Sequence, residues 1–184
     1  MTDISGRTLI FRIVVIALLA VLAALAVAAC GDDDDGDDDE AAQSDPFADA
    51  RDAVAQYDTI EKAQADGWDL VDGLDHCFDN PGVGAMGFHY IDAERLDTTV
   101  DDVAPEALIY APAEGGDLEL VGVEYIVPAE PWDEANAGTL PETHDIPFHL
   151  NSELGVYVLH AWLFRTNPAG MLQDWNPTVS CPDA

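Results

Sequence analysis

The chain has 184 residues, which is enough for one ordinary domain with appendages. Its 37 acidic and 6 basic residues give a formal net charge of −31. So acidic a chain has no basic patch that could displace counterions from phosphates, which argues against nucleic-acid binding. This composition is typical either of a salt-adapted organism or of a GC-rich genome combined with one acidic linker.

Residues 1–29 have the layout of a secretory signal peptide. Arg7 and Arg12 supply positive charge, residues 13–29 contain no polar side chain, and small residues precede Cys30. The stretch "VAAC" resembles the lipobox of bacterial lipoproteins. This resemblance implies that Cys30 is acylated, for example with palmitate, and anchors the protein to the extracytoplasmic face of the cell membrane. An uncleaved transmembrane helix is the alternative, for which the apolar span is at the short limit.

An acidic tether follows this segment. Eight of the ten residues 31–40 are Asp or Glu. Because like charges at this density oppose collapse, residues 30–45 are predicted to be a disordered spacer that holds the domain away from the bilayer. Calcium binding by the run is the alternative, although the spacing of an EF-hand loop is absent. Residues 46–184 are then predicted to form a single globular domain.

Two further cysteines, Cys77 and Cys181, lie within this domain. In an oxidising compartment such a pair predicts a disulfide. The bond closes a loop of about 100 residues and contributes about 4–5 kcal/mol in the chain-entropy view. A metal-ligating or catalytic thiol is the alternative.

The first part of the domain has helical spacing. The apolar residues that recur at this spacing are Phe47, Ala50, Val54 and Tyr57. Asp45 is a suitable N-cap with Pro46 at the first helical position. A second helical segment over residues 58–68 ends at Gly67, which is a favourable C-terminal stop.

The pattern then changes to the alternation typical of strands. The predicted strands cover residues 83–91, 105–112, 117–128, 146–150 and 155–164. Residues 130–145 are predicted to be a polar loop. Residues 166–170 are predicted to contain a turn with Pro168 at position i+1 and Gly170 at position i+3. The fold class is therefore α+β, with N-terminal helices followed by a mostly antiparallel curved sheet or small barrel.

Several blocks of the domain resemble an uncharacterised family of secreted bacterial proteins. The blocks are "GAMGFHYI", "PEALIY", "LVGVEYIV", "YVLHAWLFRTNPAGMLQDWNP" and the closing "VSC". The resemblance covers about residues 50–182 and implies a secreted protein. The family brings no assigned reaction, so the chemistry depends on the residues themselves.

Three predicted strands each carry one ionisable group among apolar neighbours, namely His89, Glu124 and His160. Strict alternation places Glu124 on one face with Leu118, Leu120, Gly122 and Ile126. An ionised carboxylate at such a position costs several kcal/mol unless it is paired. We therefore expect Glu124 to meet His89, His160 and, from the 146–150 strand, His149.

Such a cluster has two interpretations. Two or three histidines with one carboxylate are a ligand set for zinc, manganese, iron or copper. The same residues could instead form a buried polar network or an apolar ligand pocket without a metal. His-X-His spacing, which would favour a metal, is absent.

Three functions remain open from the sequence. The first is a lipid-anchored extracytoplasmic protein that binds a transition metal or small ligand at this cluster. The second is a metal-dependent enzyme, of the hydrolase or oxygenase type, that uses an open coordination position there. The third is a structural or interaction protein whose cluster is only a buried network. The sequence contains neither an esterase elbow nor a glycine-rich phosphate loop.

Overall fold

A computed structural model describes residues 45–182 of the chain. The predicted signal peptide at residues 1–29, the predicted lipidation site Cys30 and the predicted tether up to residue 44 lie outside the described residues. Within residues 45–182, no helix has both the length and the apolar character needed to cross a membrane.

Two short helices open the described part of the domain, α1 at Ala48–Val54 and α2 at Ile60–Ala65. The predicted apolar positions of the first helical segment are all buried. Asp45 lies two residues before the N-cap, where its carboxylate accepts the backbone N–H of Phe47 at 3.0 Å. Gly67 has φ of +106° and follows α2, as expected for a glycine that ends a helix.

A third helix, α3 at Ala129–Asn136, lies where the sequence predicted a polar loop, so that prediction was wrong. The segment contains Pro131, which usually argues against a helix. Here Pro131 falls in the first helical turn, where its missing N–H group has no intrahelical partner to lose. Ala129 and Trp132 pack against the core, and this burial stabilises a helix that is otherwise polar.

Nine strands are present in residues 45–182 in addition to the three helices. They are β1 (Trp68–Asp69), β2 (Phe78–Asn80), β3 (Gly84–Asp92), β4 (Ala107–Pro112), β5 (Leu118–Pro128), β6 (Glu142–Thr143), β7 (Ile146–Pro147), β8 (His149–Asn151) and β9 (Val156–Ala161). The predicted 146–150 strand is thus divided between β7 and β8. The last strand ends earlier than predicted, because Trp162 leaves the ladder and donates its backbone N–H to the backbone oxygen of Met171.

The main sheet runs in the order β1-β3-β4-β5-β9-β8, with β2 paired to β3. Every pairing is antiparallel. The path ends at β1 on one side and β8 on the other, so the sheet is open among the described strands. The fold is therefore α+β with a mostly antiparallel sheet, and of the two predicted forms the closed barrel is not adopted.

The two faces of this sheet bury separate apolar clusters. The helix-covered face packs against α1 and α2 and includes Tyr90, Leu108, Tyr110, Tyr125 and Leu159. The loop-covered face is overlaid by segments that contain Leu74, Val179 and Cys181, and it includes Ile91, Ile109, Ile126, Val158 and Trp162. The polar side chains predicted to converge lie on the loop-covered face.

A β-bulge changes one face assignment made from the sequence. The register between β4 and β5 shifts between Ile109 and Tyr110, so that Tyr110 pairs with Leu120 and Ile109 pairs with Gly122. Val121 is the extra residue, and Leu120 packs on the helix-covered face. Strict alternation had placed Leu120 on the face of Glu124, which was wrong because a bulge breaks the two-residue period.

Candidate metal centre

Three strands carry the polar cluster of the loop-covered face. Glu124 on β5 lies directly opposite His160 on β9. His89 comes from β3, which is separated from β5 by β4. The residue of β4 that pairs with Glu124 is Ala107. Because its side chain ends at Cβ, Ala107 leaves room for the imidazole of His89 to reach across β4 toward the carboxyl group.

A glycine lets β9 approach β5 beside the cluster. Gly122 precedes Glu124 by two residues, and a Cβ built on it would lie only 2.4 Å from the backbone oxygen of Ala161. A contact this short between a Cβ and backbone is not tolerated without displacement. Gly122 therefore helps to bring His160, the neighbour of Ala161, up to the carboxyl group.

The distances within the cluster suit a shared ligand. Nε2 of His89 lies 3.4 Å from Oε2 of Glu124. The rings of His89 and His160 have centroids 6.1 Å apart and are inclined by 71°. One ligand atom from each of the three residues lies within 4.8 Å of the other two. Bonds of about 2.0–2.2 Å from imidazole nitrogen and carboxylate oxygen to one ion place two ligand atoms at most about 4.4 Å apart. The three groups would therefore reach a common ion after side-chain shifts of a few tenths of an ångström.

All three side chains are buried, and three of the four imidazole nitrogens have no hydrogen-bond partner among the described residues. His160 is 0% exposed, His89 6% and Glu124 9%. Neither Nδ1 nor Nε2 of His160 has a hydrogen-bond partner among the described residues, and Nδ1 of His89 has none either. Buried polar atoms in proteins are nearly always paired. An imidazole with both nitrogens unpaired therefore requires an explanation, and a metal ion is one.

Burial also determines the charge state of the cluster. Desolvation, reinforced by the nearby carboxylates of Asp174 and Glu106, raises the pKa of Glu124 to about 8. Desolvation lowers the pKa of His89 to about 4. It lowers the pKa of His160 well below its usual value, and the neighbouring His89 adds to this effect. At neutral pH the metal-free cluster is thus a protonated carboxyl group beside two neutral imidazoles.

Aromatic rings hold the two imidazoles in place. The edge-on ring of Phe78 lies 4.9 Å from the ring of His89, measured between centroids. Trp162 stacks at 4.8 Å from His160 with an inclination of 35°. The indole Nε1 of Trp162 donates to the backbone oxygen of Gln173 at 2.7 Å, which fixes the plane of the indole. These aromatic contacts restrict rotation of the two imidazole rings. The direction of the imidazole nitrogens is therefore set by the strands that carry His89 and His160.

His149 is the fourth predicted ligand, and the structure does not bring it into the cluster. It begins β8 and pairs in register with Val158. Its side chain is 53% exposed, and its Nε2 lies 3.3 Å from the carboxylate of Asp174. The described geometry thus gives His149 a surface contact with the Asp174 side chain at the edge of the sheet.

The cysteine pair lies beside the same face. Cys77 and Cys181 are joined in a disulfide with their Cα atoms 5.7 Å apart, as the sequence predicted. Cys77 directly precedes Phe78, so the bond fixes the segment that covers His89. Because both sulfurs are bonded to each other, the alternative of a free ligating or nucleophilic thiol does not apply to this pair.

Sequence reasoning missed one buried acid near the cluster. Glu106 is 3% exposed, and its carboxylate accepts the backbone N–H of Ile126 at 2.8 Å. Desolvation raises its pKa to about 7. The residue follows Pro105 at the start of a predicted strand, where an acid is normally solvated. No local pattern therefore distinguished it from a surface glutamate.

An apolar cavity of about 230 Å³ adjoins the cluster, for which the sequence left an apolar ligand pocket open as one interpretation. His89 and Glu124 form part of its wall together with Phe78, Ile126 and Val158. These wall residues come from separate strands and loops, so no sequence pattern unites them.

Comparisons of the chain with protein-family models, with curated proteins and with solved structures found no match.

Proposed function

We propose that this protein binds one divalent transition-metal ion through His89, Glu124 and His160, in a domain that is lipid-anchored outside the cytoplasm. One observation carries the metal proposal. His160 is completely buried and neither of its ring nitrogens has a partner in the described part of the chain. A metal ion satisfies a nitrogen that no protein group reaches.

A structural polar network explains the cluster less well. Such a network stabilises a core when its members satisfy one another, and a partly satisfied one is worse than apolar packing. The 3.4 Å separation between His89 and Glu124 exceeds the usual hydrogen-bond range. The pKa directions also oppose an ion pair, because burial favours the neutral form of both groups.

The donor set narrows the choice of ion. Two imidazole nitrogens and one carboxylate oxygen suit Zn²⁺, Mn²⁺, Fe²⁺ or Cu²⁺. Cu⁺ favours thiolate and thioether ligands, and both cysteines of the domain are occupied by the disulfide. Three protein ligands leave at least one coordination position for water or another molecule.

A metal-dependent enzyme of the hydrolase or oxygenase type is the second candidate. The cavity that reaches His89 and Glu124 favours it, because a catalytic ion needs an approach for its substrate. A carboxylate ligand such as Glu124 also occurs in both zinc hydrolases and non-haem iron oxygenases. Both candidate functions require metal binding, so metal binding is the property to test before any enzymatic activity.

The cellular location is proposed from the N-terminus. The lipobox-like "VAAC" supports acylation of Cys30, and the Cys77–Cys181 disulfide supports an oxidising compartment. Labelling of expressing cells with radioactive palmitate tests the anchor. The wild-type protein should incorporate label and fractionate with membranes, whereas Cys30→Ala should incorporate no label. Wild-type protein without label that still fractionates with membranes would favour the uncleaved transmembrane helix instead.

Elemental analysis tests the metal proposal. The full-length protein is purified from an oxidising compartment without a histidine tag or chelator, and its metals are measured by mass spectrometry beside those of His160→Ala. We expect about one metal ion per chain, lost in the variant. A metal-free wild-type protein that also fails to take up Zn²⁺, Mn²⁺, Fe²⁺ or Cu²⁺ after dialysis would contradict the proposal.

A further inference from the structure

The cavity beside the cluster has almost entirely apolar walls. Apart from His89, Glu124 and Asn151, every residue that lines it is a hydrophobic one. Long apolar walls give no partner to a charged or strongly polar group. A molecule that fills this space must therefore be apolar along most of its length.

The polar part of the cavity wall is concentrated where the metal ligands are. His89 and Glu124 line the cavity, with Nε2 and Oε2 3.4 Å apart, while His160 is 0% exposed and is not part of the cavity wall. The cavity thus approaches the proposed ion from one side, and the protein supplies its ligands from the sheet. A molecule in the cavity can present one donor group to the ion at this end.

The entrance of the cavity is apolar as well. Val71, Leu96 and Leu154 belong to its wall and are 37%, 38% and 49% exposed. Large apolar side chains left in solvent around one opening are typical of a ligand-binding site. They give an entering apolar molecule favourable contacts before it reaches the metal ligands.

The volume limits the size of that molecule. A protein cavity of about 150 Å³ with similar walls holds one benzene molecule. The cavity here measures about 230 Å³. It therefore has room for a single ring or a short branched chain together with a small head group.

We infer that the cavity binds a small, mainly apolar molecule with a single metal-ligating head group, which completes the coordination of the ion held by His89, Glu124 and His160. This inference rests on the proposed metal site and names the class of ligand or substrate that the site takes. The head group approaches on the side of His89 and Glu124, and the apolar body lies between Phe78 and Val158.

Two hydroxamates of different size test this inference. The full-length protein is loaded with Co²⁺, whose visible absorption reports its coordination, and is titrated with benzohydroxamate or acetohydroxamate. Both carry the same head group, and only the first carries a ring. Burial of the ring should make benzohydroxamate bind at least about tenfold more tightly. Equal affinities would overturn the inference and leave the metal site standing.

One variant inside the cavity wall and one outside it control for non-specific binding of the benzohydroxamate ring. Val156→Phe adds a ring to the cavity wall four residues from His160, and it should abolish the preference for benzohydroxamate while the Co²⁺ spectrum stays unchanged. Leu150→Phe places the same ring on an exposed residue outside the wall and should keep the preference. A preference that survives in Val156→Phe would contradict the cavity as its source. Failure of Co²⁺ to bind before any hydroxamate is added would instead contradict the proposed function itself.

Discussion

The two faces of the sheet differ in whether their buried polar groups are hydrogen-bonded. On the helix-covered face, the hydroxyls of Tyr110 and Tyr125 donate to the backbone oxygens of Tyr57 at 2.6 Å and Asp102 at 2.7 Å. On the loop-covered face, His160 is equally buried but both of its nitrogens lack partners within residues 45–182. An unsatisfied buried group costs about 1–3 kcal/mol. The first face is arranged for stability, and the second retains groups that oppose it.

Trp68 is an exception on the helix-covered face, because its indole N–H has no partner in the described part of the chain. The guanidinium of Arg95 lies 5.0 Å from the centre of its ring, which gives the indole a different favourable contact. The loop-covered face differs in kind, since three unpaired nitrogens there belong to two imidazoles that converge on one carboxyl group.

The largest expected effect follows from replacing His160 by a residue that needs no partner. His160→Leu should lower metal affinity by at least about 100-fold, because even residues that only support metal ligands contribute 10- to 100-fold. The metal-free protein should at the same time gain about 1–3 kcal/mol of unfolding free energy, since two unpaired nitrogens are removed. Metal titration and urea denaturation measure the two effects.

Tyr110→Phe is the matched control on the other face. It removes a hydroxyl that is satisfied and leaves the backbone oxygen of Tyr57 without it, so the protein should lose about 1 kcal/mol or more. Opposite signs for the two substitutions would support the contrast between the faces. If His160→Leu destabilised the metal-free protein as Tyr110→Phe does, His160 would be a structural residue.

The next effect tests the close approach of β9 to β5. Gly122→Ala places a Cβ 2.4 Å from the backbone oxygen of Ala161, and displacement of the strand should cost about 1–3 kcal/mol and weaken metal binding. Gly138→Ala is a suitable control, because nothing lies within 4 Å of its added Cβ although its φ is +89°. That variant should lose stability through backbone strain and keep its metal affinity. Equal metal affinity in both variants would argue against a role for Gly122 at the site.

Metal affinity should also depend on pH through Glu124. Its pKa is raised to about 8 in the metal-free protein, so the carboxyl group must release a proton when an ion binds below that pH. The affinity should rise by up to about tenfold per pH unit from pH 6 and level off above about pH 8. His89, with a pKa lowered to about 4, should add no further slope in this range. A flat profile measured by competition titration would mean that Glu124 does not ligate the ion.

The dependence of stability on pH should separate the two buried glutamates, Glu106 and Glu124. The pKa of Glu106 is raised from 4.5 to about 7, so the folded state binds its proton more tightly than the unfolded state. Glu106 should therefore contribute a fall in the free energy of unfolding as the pH rises from about 4.5 to about 7. Glu106→Gln should remove this contribution and leave that of Glu124, whose pKa is raised to about 8. The variant should match wild type near pH 4.5 and be more stable by up to about 3 kcal/mol at pH 8. Its amide oxygen can still accept the N–H of Ile126, so metal binding should stay unchanged.

The convergence of the cluster was predictable from sequence because His89, Glu124 and His160 each interrupt an apolar strand near its middle. Which of these side chains contact one another also depends on the strand order, in which β9 lies beside β5 and β4 separates β3 from β5. That order depends on long-range pairing, which local periodicity does not encode. The bulge at Val121 and the helix α3 were missed for related reasons, since both arise where tertiary packing overrides the local pattern.

His149 shows the same limit at a single residue. Its strand pairs with β9, so its position one strand from His160 followed from the predicted antiparallel sheet. Whether a side chain at the edge of a sheet turns inward depends on its neighbours in space. Here the carboxylate of Asp174, 25 residues later in the chain, provides a partner at the surface.

Thermal unfolding of the full-length protein is the sharpest test of metal binding on the loop-covered face. The protein is freed of metal with a chelator, dialysed, and unfolded at increasing ratios of Zn²⁺ to protein, beside His160→Leu. We expect the wild-type Tm to rise with added ion and to reach most of its gain at one equivalent, because an ion that binds only the folded state stabilises it. The variant should start from a higher Tm and show no gain. A wild-type Tm that does not respond to Zn²⁺, Mn²⁺, Fe²⁺ or Cu²⁺ would contradict the claim that the loop-covered face is a metal centre.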